Sequence, residues 1–174
     1  MAIAHERNLH GTRRWLAALP VAVLLVAAGC SLAGSPPSSK PGGAASDPWS
    51  SAQLIRPAEL AAMLKGPAGE KPLLLHVGFK VLYRAGAIPG TRYVGPGSRP
   101  EGIAALRREV RDVPRARSIV LYCGCCPWDH CPNMRPAFRA LREMGFKNVR
   151  ALYIEKDLDT DWVNAGFPLE KPRD

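Results

Sequence analysis

Short apolar runs separated by amphipathic stretches recur along the chain after residue 48. The runs at 72–77 and 119–122 are almost continuously apolar, which is typical of strands covered on both faces. The pattern also predicts a short strand at 92–94 and a final one at 148–154. Strands that alternate with helices predict a parallel sheet with helices on both faces, so we expect an α/β domain.

Amphipathic helices are predicted where apolar side chains recur every three or four residues. A first helix spans 56–66, bounded by a proline in its first turn and a glycine at its end. A second helix spans 101–111, and a short one is expected around 161–165. The intervening segment 78–90 carries no helical pattern and is predicted to be a loop.

The helix that follows residue 133 has signals at both ends and along one face. Asn133 is predicted to be its N-cap, and Gly145 lies where a helix C-cap requires a glycine. The apolar side chains at helical spacing are Met134, Ala137, Phe138, Leu141 and Met144.

The N-terminal 29 residues have the organisation of an export signal. A basic segment containing Arg7, Arg13 and Arg14 precedes an uncharged apolar run that is too short to span a bilayer. The run ends in Val26-Ala-Ala-Gly-Cys30, which resembles a bacterial lipoprotein signal. That resemblance implies cleavage before Cys30, a lipid anchor on Cys30, and a location on the periplasmic face of a membrane. The alternative is an ordinary secretory signal with a nearby cleavage site.

A linker separates this signal from the globular part. Residues 30–48 are rich in Ser, Pro, Gly and Ala and cannot bury a core, so we expect a flexible tether there. Residues 49–174 then form a domain of ordinary size.

Charge limits the choice of partners. The net charge of the 174-residue chain is +9, and removing residues 1–29 takes away three arginines and one glutamate, which leaves +7. Such a surface would favour anions, including small sulfur oxyanions and anionic lipid headgroups. Nucleic acid is not expected, because the chain has an export signal and no basic helix or aromatic-interleaved basic patch. We expect a monomer.

Four of the five cysteines lie in the loop between the 119–122 strand and the helix after Asn133. A thiolate placed there is stabilised by unpaired backbone N–H groups and by the helix dipole, which lower a thiol pKa from its usual value of about 8.5. Cys123, directly at the strand end, is the candidate nucleophile. In parallel sheets, sites lie beyond the carboxyl ends of the strands, which is where Cys123 falls. The bland alternative is that the loop cysteines form structural disulfides in an exported protein.

Segments from about residue 54 to 168 resemble, in order, a rhodanese-like domain. The matching pieces are Leu74-Leu-His-Val77, Gly86-Ala-Ile-Pro-Gly90, Val120-Leu-Tyr-Cys123, Gly145-Phe146, Asn148-Val149 and Trp162 with Gly166 and Pro168. The resemblance implies a small central parallel sheet in a three-layer domain, and a persulfide carried on Cys123.

Sulfur transfer through Cys123 would give roles to the surrounding residues, with a surface position as the equal alternative for Arg135. Gly124, Cys125, Cys126 and Arg135 would form the cradle of the persulfide, and Cys125, Cys126 or Cys131 would receive the sulfur or form a disulfide. No organic cofactor is needed. The partners would be a small sulfane-sulfur donor or a protein thiol acceptor.

Departures from the family pattern argue against thiosulfate-to-cyanide transfer as the native activity. The chain has His76-Val77-Gly78 where the family has Asp-Val-Arg, and Ala87 where it has His. Cys123 also lies 22 positions before Gly145, so the cysteine loop is longer than usual.

Three other functions stay open. Cys123 and Cys126 form a Cys-X-X-Cys pair suited to thiol–disulfide exchange. The side chains of Cys123, Cys125, Cys126, His130 and Cys131 could bind Cu(I) or Zn²⁺. The domain could also be a non-catalytic binding module. His76, in an apolar run, is expected to be a hydrogen-bonded core histidine.

Overall fold

The computed structural model describes residues 47–172. The expected signal peptide, the anchor at Cys30 and nearly all of the 30–48 linker lie outside the described residues and stay predictions. Within residues 47–172, no helix is long and apolar enough to cross a membrane.

The described residues form five strands in one parallel sheet. The strands are β1 (Leu54–Ile55), β2 (Leu73–His76), β3 (Thr91–Tyr93), β4 (Ile119–Tyr122) and β5 (Val149–Leu152). Their order across the sheet is β1-β5-β4-β2-β3, and every pairing is parallel. The prediction of an α/β domain with a parallel sheet is therefore confirmed, with β4 at its centre.

The described residues form four α-helices, three of which lie close to their predicted positions. They are α1 (Pro57–Leu64), α2 (Lys80–Ala85), α3 (Pro100–Glu109) and α4 (Met134–Glu143). Short 3₁₀ turns occur at Ser51–Gln53, Ala68–Glu70 and Trp128–His130, and a π-helical turn occupies Asp159–Val163. The indole of Trp162, in this last turn, is fully buried and donates to the Pro168 carbonyl at 2.9 Å.

Apolar side chains cover both faces of the sheet, as the continuous runs predicted. Leu75 and Leu121 belong to a core layer with apolar side chains of α3 and α4. Their neighbours Leu74 and Val120 point into a second layer with α1 and Trp162. All four residues of β2 and of β4 are buried, so neither strand has a solvent-facing side.

Two elements differ from the prediction. Residues 80–85 form helix α2 where a loop was predicted, and Leu54–Ile55 form an edge strand that was not predicted. Helix α2 has no buried residue, so it leaves no apolar stripe in the sequence. The two-residue strand β1 is too short for a period-two pattern.

The two ends of α4 show one confirmed cap and one correction. Gly145 has a φ of +86°, and its N–H and that of Phe146 donate to Arg142 and Leu141, which closes the helix in a Schellman motif. Asn133 precedes the helix, but it has helical dihedrals and its side chain makes no capping bond. The predicted N-cap is wrong because this side chain is used in tertiary contacts.

Replacing Gly145 by alanine is expected to lower the free energy of unfolding by about 1–2 kcal/mol, the cost of a left-handed non-glycine residue. Chemical denaturation of the purified full-length chain measures it. Gly69→Ala is the control, because a Cβ there meets nothing within 4 Å and no left-handed φ is required. Equal stability of the two variants would contradict the prediction.

Candidate active site

Cys123 lies directly after the central strand, at the carboxyl end of the sheet. It follows Tyr122, whose partner on the neighbouring strand β2 is His76. The chain turns away at Gly124, which has a φ of +68°, and a Cβ at this position would lie 2.8 Å from the Cβ of Leu158. Glycine is therefore required at 124 both by the turn and by the packing of Leu158.

The cysteine loop folds back so that three sulfurs converge. The Sγ atoms of Cys123, Cys125 and Cys131 all lie within 4.8 Å of one another, and we call them the three-thiol cluster. Cys123 Sγ is 3.0 Å from Cys125 Sγ, which in turn is 3.1 Å from Cys126 Sγ. All four of the cysteines in the described part of the chain are free thiols, so the disulfide alternative is not found among them.

The side chain of Asn133 holds this cluster to a second loop. Its Oδ1 accepts from the backbone N–H and the hydroxyl of Ser98, at 3.1 and 2.8 Å. Its Nδ2 donates to Cys123 Sγ at 3.3 Å and to Cys125 Sγ at 3.8 Å. A backbone N–H can only donate, so the amide oxygen faces Ser98 and the amide nitrogen faces the sulfurs.

His76 supports Cys123 from the other side, through the backbone. It lies within hydrogen-bonding distance of the Cys123 carbonyl (Nε2, 3.1 Å), and its Nδ1 accepts from the N–H of Gly78 at 3.3 Å. Since Nδ1 accepts, the proton of the neutral ring is on Nε2, which donates to Cys123. Burial lowers the pKa of His76 to about 4. The expectation of a hydrogen-bonded core histidine is confirmed.

The backbone N–H groups at the start of α4 act on the Cys131 thiol, whereas we expected them to act on Cys123. Hydrogen bonding with the Cys123 and Cys125 thiols, followed by the backbone N–H groups of Asn133 and Met134, holds the pKa of Cys131 far below the usual thiol value. The Cys125 hydrogen bond, the largest contribution, lowers the pKa of Cys123. The hydrogen bond with Cys131 and the burial of the thiol act in the opposite direction, and the result is that the pKa of Cys123 is raised to about 12. The expected lowering of the Cys123 pKa is not found in the reduced cluster.

A negative charge on Cys131 still leaves Cys123 able to react. Their sulfurs lie within 4.8 Å of each other, with Cys125 Sγ beside Cys123. With Cys131 deprotonated, the raised pKa of Cys123 keeps its own proton in place at rest, and Cys131 is positioned to take that proton when Cys123 reacts. The assignment of Cys123 as the nucleophile stays a prediction.

The remaining candidate residues are only partly brought to the cluster. Arg135 forms an ion pair with Asp47 at 2.7 Å and donates to the Cys131 carbonyl at 3.4 Å, so its recorded contacts are not with a sulfur. Cys126 is half-buried and contacts Cys125, and His130 is exposed. Trp128 packs on the rings of Trp49 and Tyr153 and caps the core.

A pocket of about 330 Å³ opens over Cys123, Gly124 and Cys125. Asp157 and Asp159 line it, and none of its described lining residues is a lysine or arginine. The other lining side chains are apolar or uncharged: His76, Leu82, Ala85, Gly86, Leu158 and Leu169. The basic excess of the chain is therefore not located at this pocket.

Comparison with known proteins identifies the fold. No protein-family model matches the chain, and no curated protein does. Among solved structures, the crystal structure of the Alr3790 protein from Anabaena sp. is similar, with a TM-score of 0.52 and 22% identity over 68% of this chain and 82% of that one. The solution structure of the rhodanese-like domain of that protein gives 0.49 and 21%, over 69% and 80%.

The crystal structure of thiosulfate sulfurtransferase from Pseudomonas aeruginosa is also similar. Its TM-score is 0.50 at 20% identity, over 69% of this chain but only 20% of that chain. Identities this low show the fold alone. The chain therefore has the fold of the rhodanese-like domains, as the resemblance predicted, and its three-thiol cluster lies at the carboxyl end of the central strand.

Sequence reasoning missed Asn133 as a site residue. An asparagine directly before an apolar helical pattern is the usual signal of an N-cap, and nothing local distinguishes this one. Its partners lie 35 residues before it, at Ser98, and 10 residues before it, at Cys123.

Asn133→Asp is expected to slow carboxamidomethylation of Cys123 at pH 8 by about tenfold. The substitution keeps the oxygen that accepts from Ser98, but a carboxylate oxygen replaces the donor to the sulfurs, and one pKa unit is a factor of ten in thiolate. Timed alkylation followed by peptide mass mapping measures the rate. Asn164→Asp, at an exposed asparagine, is the control, and an unchanged rate in the Asn133 variant would contradict the prediction.

Proposed function

We propose that the domain carries sulfane sulfur as a persulfide on Cys123. The observation that carries this proposal is the position of Cys123 at the floor of the pocket and at the carboxyl end of the central strand. Support comes from the fold, which is shared with a solved thiosulfate sulfurtransferase. The retained cysteine favours sulfur transfer over a non-catalytic binding module.

The proposed sulfur transfer conserves atoms and electrons without a redox cofactor. The Cys123 thiolate attacks the outer sulfur of a donor, a bond forms between the two sulfurs, and the donor's own S–S bond breaks. The electron pair of the broken bond leaves with the donor as a thiolate. An acceptor thiolate then attacks the terminal sulfur, and Cys123 leaves as the thiolate.

The cluster offers a second outcome for the persulfide. Cys131 Sγ lies within 4.8 Å of Cys123 Sγ. Its thiolate can attack Cys123 Sγ and form a Cys123–Cys131 disulfide, with the terminal sulfur leaving as hydrosulfide. Two equivalents of an external thiol would then reduce that disulfide. The structure favours this pair over Cys123 and Cys126, because Cys125 lies between the latter two.

The charge of the pocket favours sulfur donors that carry less negative charge than thiosulfate. Asp157 and Asp159 line it, and thiosulfate is a dianion. Two like-charged groups near the reacting sulfur would weaken the binding of thiosulfate. We therefore propose an organic persulfide or polysulfide as donor, and a small or protein-borne thiol as acceptor.

Cys123→Ser is expected to abolish persulfide formation. The reduced full-length chain is treated with an organic persulfide, generated from its trisulfide by one equivalent of thiol, and the addition of one sulfur atom is mapped by peptide mass spectrometry after alkylation. Cys126→Ser, whose sulfur is outside the three-thiol cluster, should load sulfur like the unchanged chain. Full loading of the Cys123 variant, or none in the unchanged chain, would overturn the proposal.

Asp159→Asn is expected to raise kcat/KM for thiosulfate by about fivefold, because it removes one of the two carboxylates that line the pocket and would repel a dianion. The value for a neutral dialkyl trisulfide should not change. Asp112→Asn, an exposed acidic residue that does not line the pocket, is the control. Equal changes for both donors would show that the charge of the pocket does not select them.

A further inference from the structure

The three-thiol cluster is a preformed set of soft donors. Three sulfurs from a single loop lie within 4.8 Å of one another, and no carboxylate or imidazole among the described residues joins their group. Cys123 and Cys131 are buried, with 3% and 4% of their surface exposed, and Cys125 is half-buried. Sulfur transfer through Cys123 alone does not require three converging thiols.

Distances between the sulfurs fit a three-coordinate ion. With metal–sulfur bonds of about 2.3 Å, a trigonal site needs sulfurs about 4 Å apart. The three Sγ atoms need only small rotamer changes to reach that spacing, chiefly an opening of the 3.0 Å separation between Cys123 and Cys125. Thiolate ligands without oxygen donors select soft ions, of which Cu(I) accepts three ligands.

We propose that Cys123, Cys125 and Cys131 bind one Cu(I) ion as three thiolates. Three copper–sulfur bonds form, and each thiol that still carries a proton releases it to solvent. The copper stays in the +1 state, so no electron is transferred. The copper must be supplied in its reduced form.

The surroundings of the cluster suit this ion. Asn133 Nδ2 donates to two of the three sulfurs, which is how second-shell groups orient thiolates and offset their charge. The pocket that leads to Cys123 and Cys125 is lined by Asp157 and Asp159, which attract a cation. Two of the three proposed ligands therefore line a pocket that carries two carboxylates.

The other two candidate ligands are outside this site. His130 is exposed and does not belong to the group of converging donors, which excludes it as a ligand in this conformation. Cys126 Sγ contacts Cys125 Sγ but not the group as a whole. A structural Zn²⁺ site, which takes four protein ligands, would need one of them, so the geometry favours Cu(I) over a structural Zn²⁺ ion.

Copper binding does not depend on the proposed sulfur transfer, although both use Cys123. Cys125→Ser and Cys131→Ser should each weaken copper binding, and persulfide loading is read separately on the unchanged chain and on Cys123→Ser. A chain that binds copper and never loads sulfur would refute the transfer alone. A chain that loads sulfur and binds no copper would refute only this inference.

The experiment titrates the reduced full-length chain with Cu(I) in competition with bathocuproine disulfonate, and counts bound ions by native mass spectrometry. We expect one ion per chain. Cys131→Ser and Cys125→Ser should each weaken the affinity by about a hundredfold or more, since loss of a ligand exceeds the 10–100-fold cost of losing a second-shell contact. Cys126→Ser and His130→Ala are the matched controls and should bind as the unchanged chain does.

X-ray absorption of the loaded, unchanged chain gives a readout that does not depend on how the variants fold. Three sulfurs at about 2.3 Å and no nitrogen ligand are expected. Four sulfurs, a nitrogen ligand, more than one ion, or equal losses in the Cys126 and Cys131 variants would each overturn the inference.

Discussion

One buried amide connects the parts of the site. The side chain of Asn133 accepts two hydrogen bonds from Ser98 and donates to the sulfurs of Cys123 and Cys125. It is fully buried, so each unmade bond would cost about 1–3 kcal/mol. The loop after β3, the end of β4 and the start of α4 are therefore held together by a single side chain.

The long cysteine loop changes what the end of β4 can do. It brings Cys131 to the start of α4, where hydrogen bonds with the Cys123 and Cys125 thiols, followed by those from backbone N–H groups, lower the pKa of Cys131, and it leaves Cys123 at the pocket with a raised pKa. The loop thus favours the thiolate at Cys131 and the protonated thiol at Cys123. The same convergence gives the loop a set of donors for a soft cation.

Local charge at the pocket differs from the charge of the whole chain. A net charge of +9 suggests anionic ligands, yet Asp157 and Asp159 line the pocket over Cys123. Basic residues such as Arg92 and Arg107 form surface ion pairs with Glu109 and Glu143 instead. Composition averages over the surface, whereas a ligand responds to the few charges within a Debye length of its site.

Local patterns in the sequence determined four of the five strands, three helices and the placement of Cys123 after the central strand. Periodicity reports which residues are buried within one element, and burial on both faces of β2 and β4 left continuous apolar runs. Helix α2 was not predicted because none of its residues is buried. Only the tertiary structure decided that Asn133 binds sulfurs rather than caps α4, that Cys131 receives the helix N–H groups, and that the pocket is acidic. These depend on groups far apart along the chain, and no periodicity records such distances.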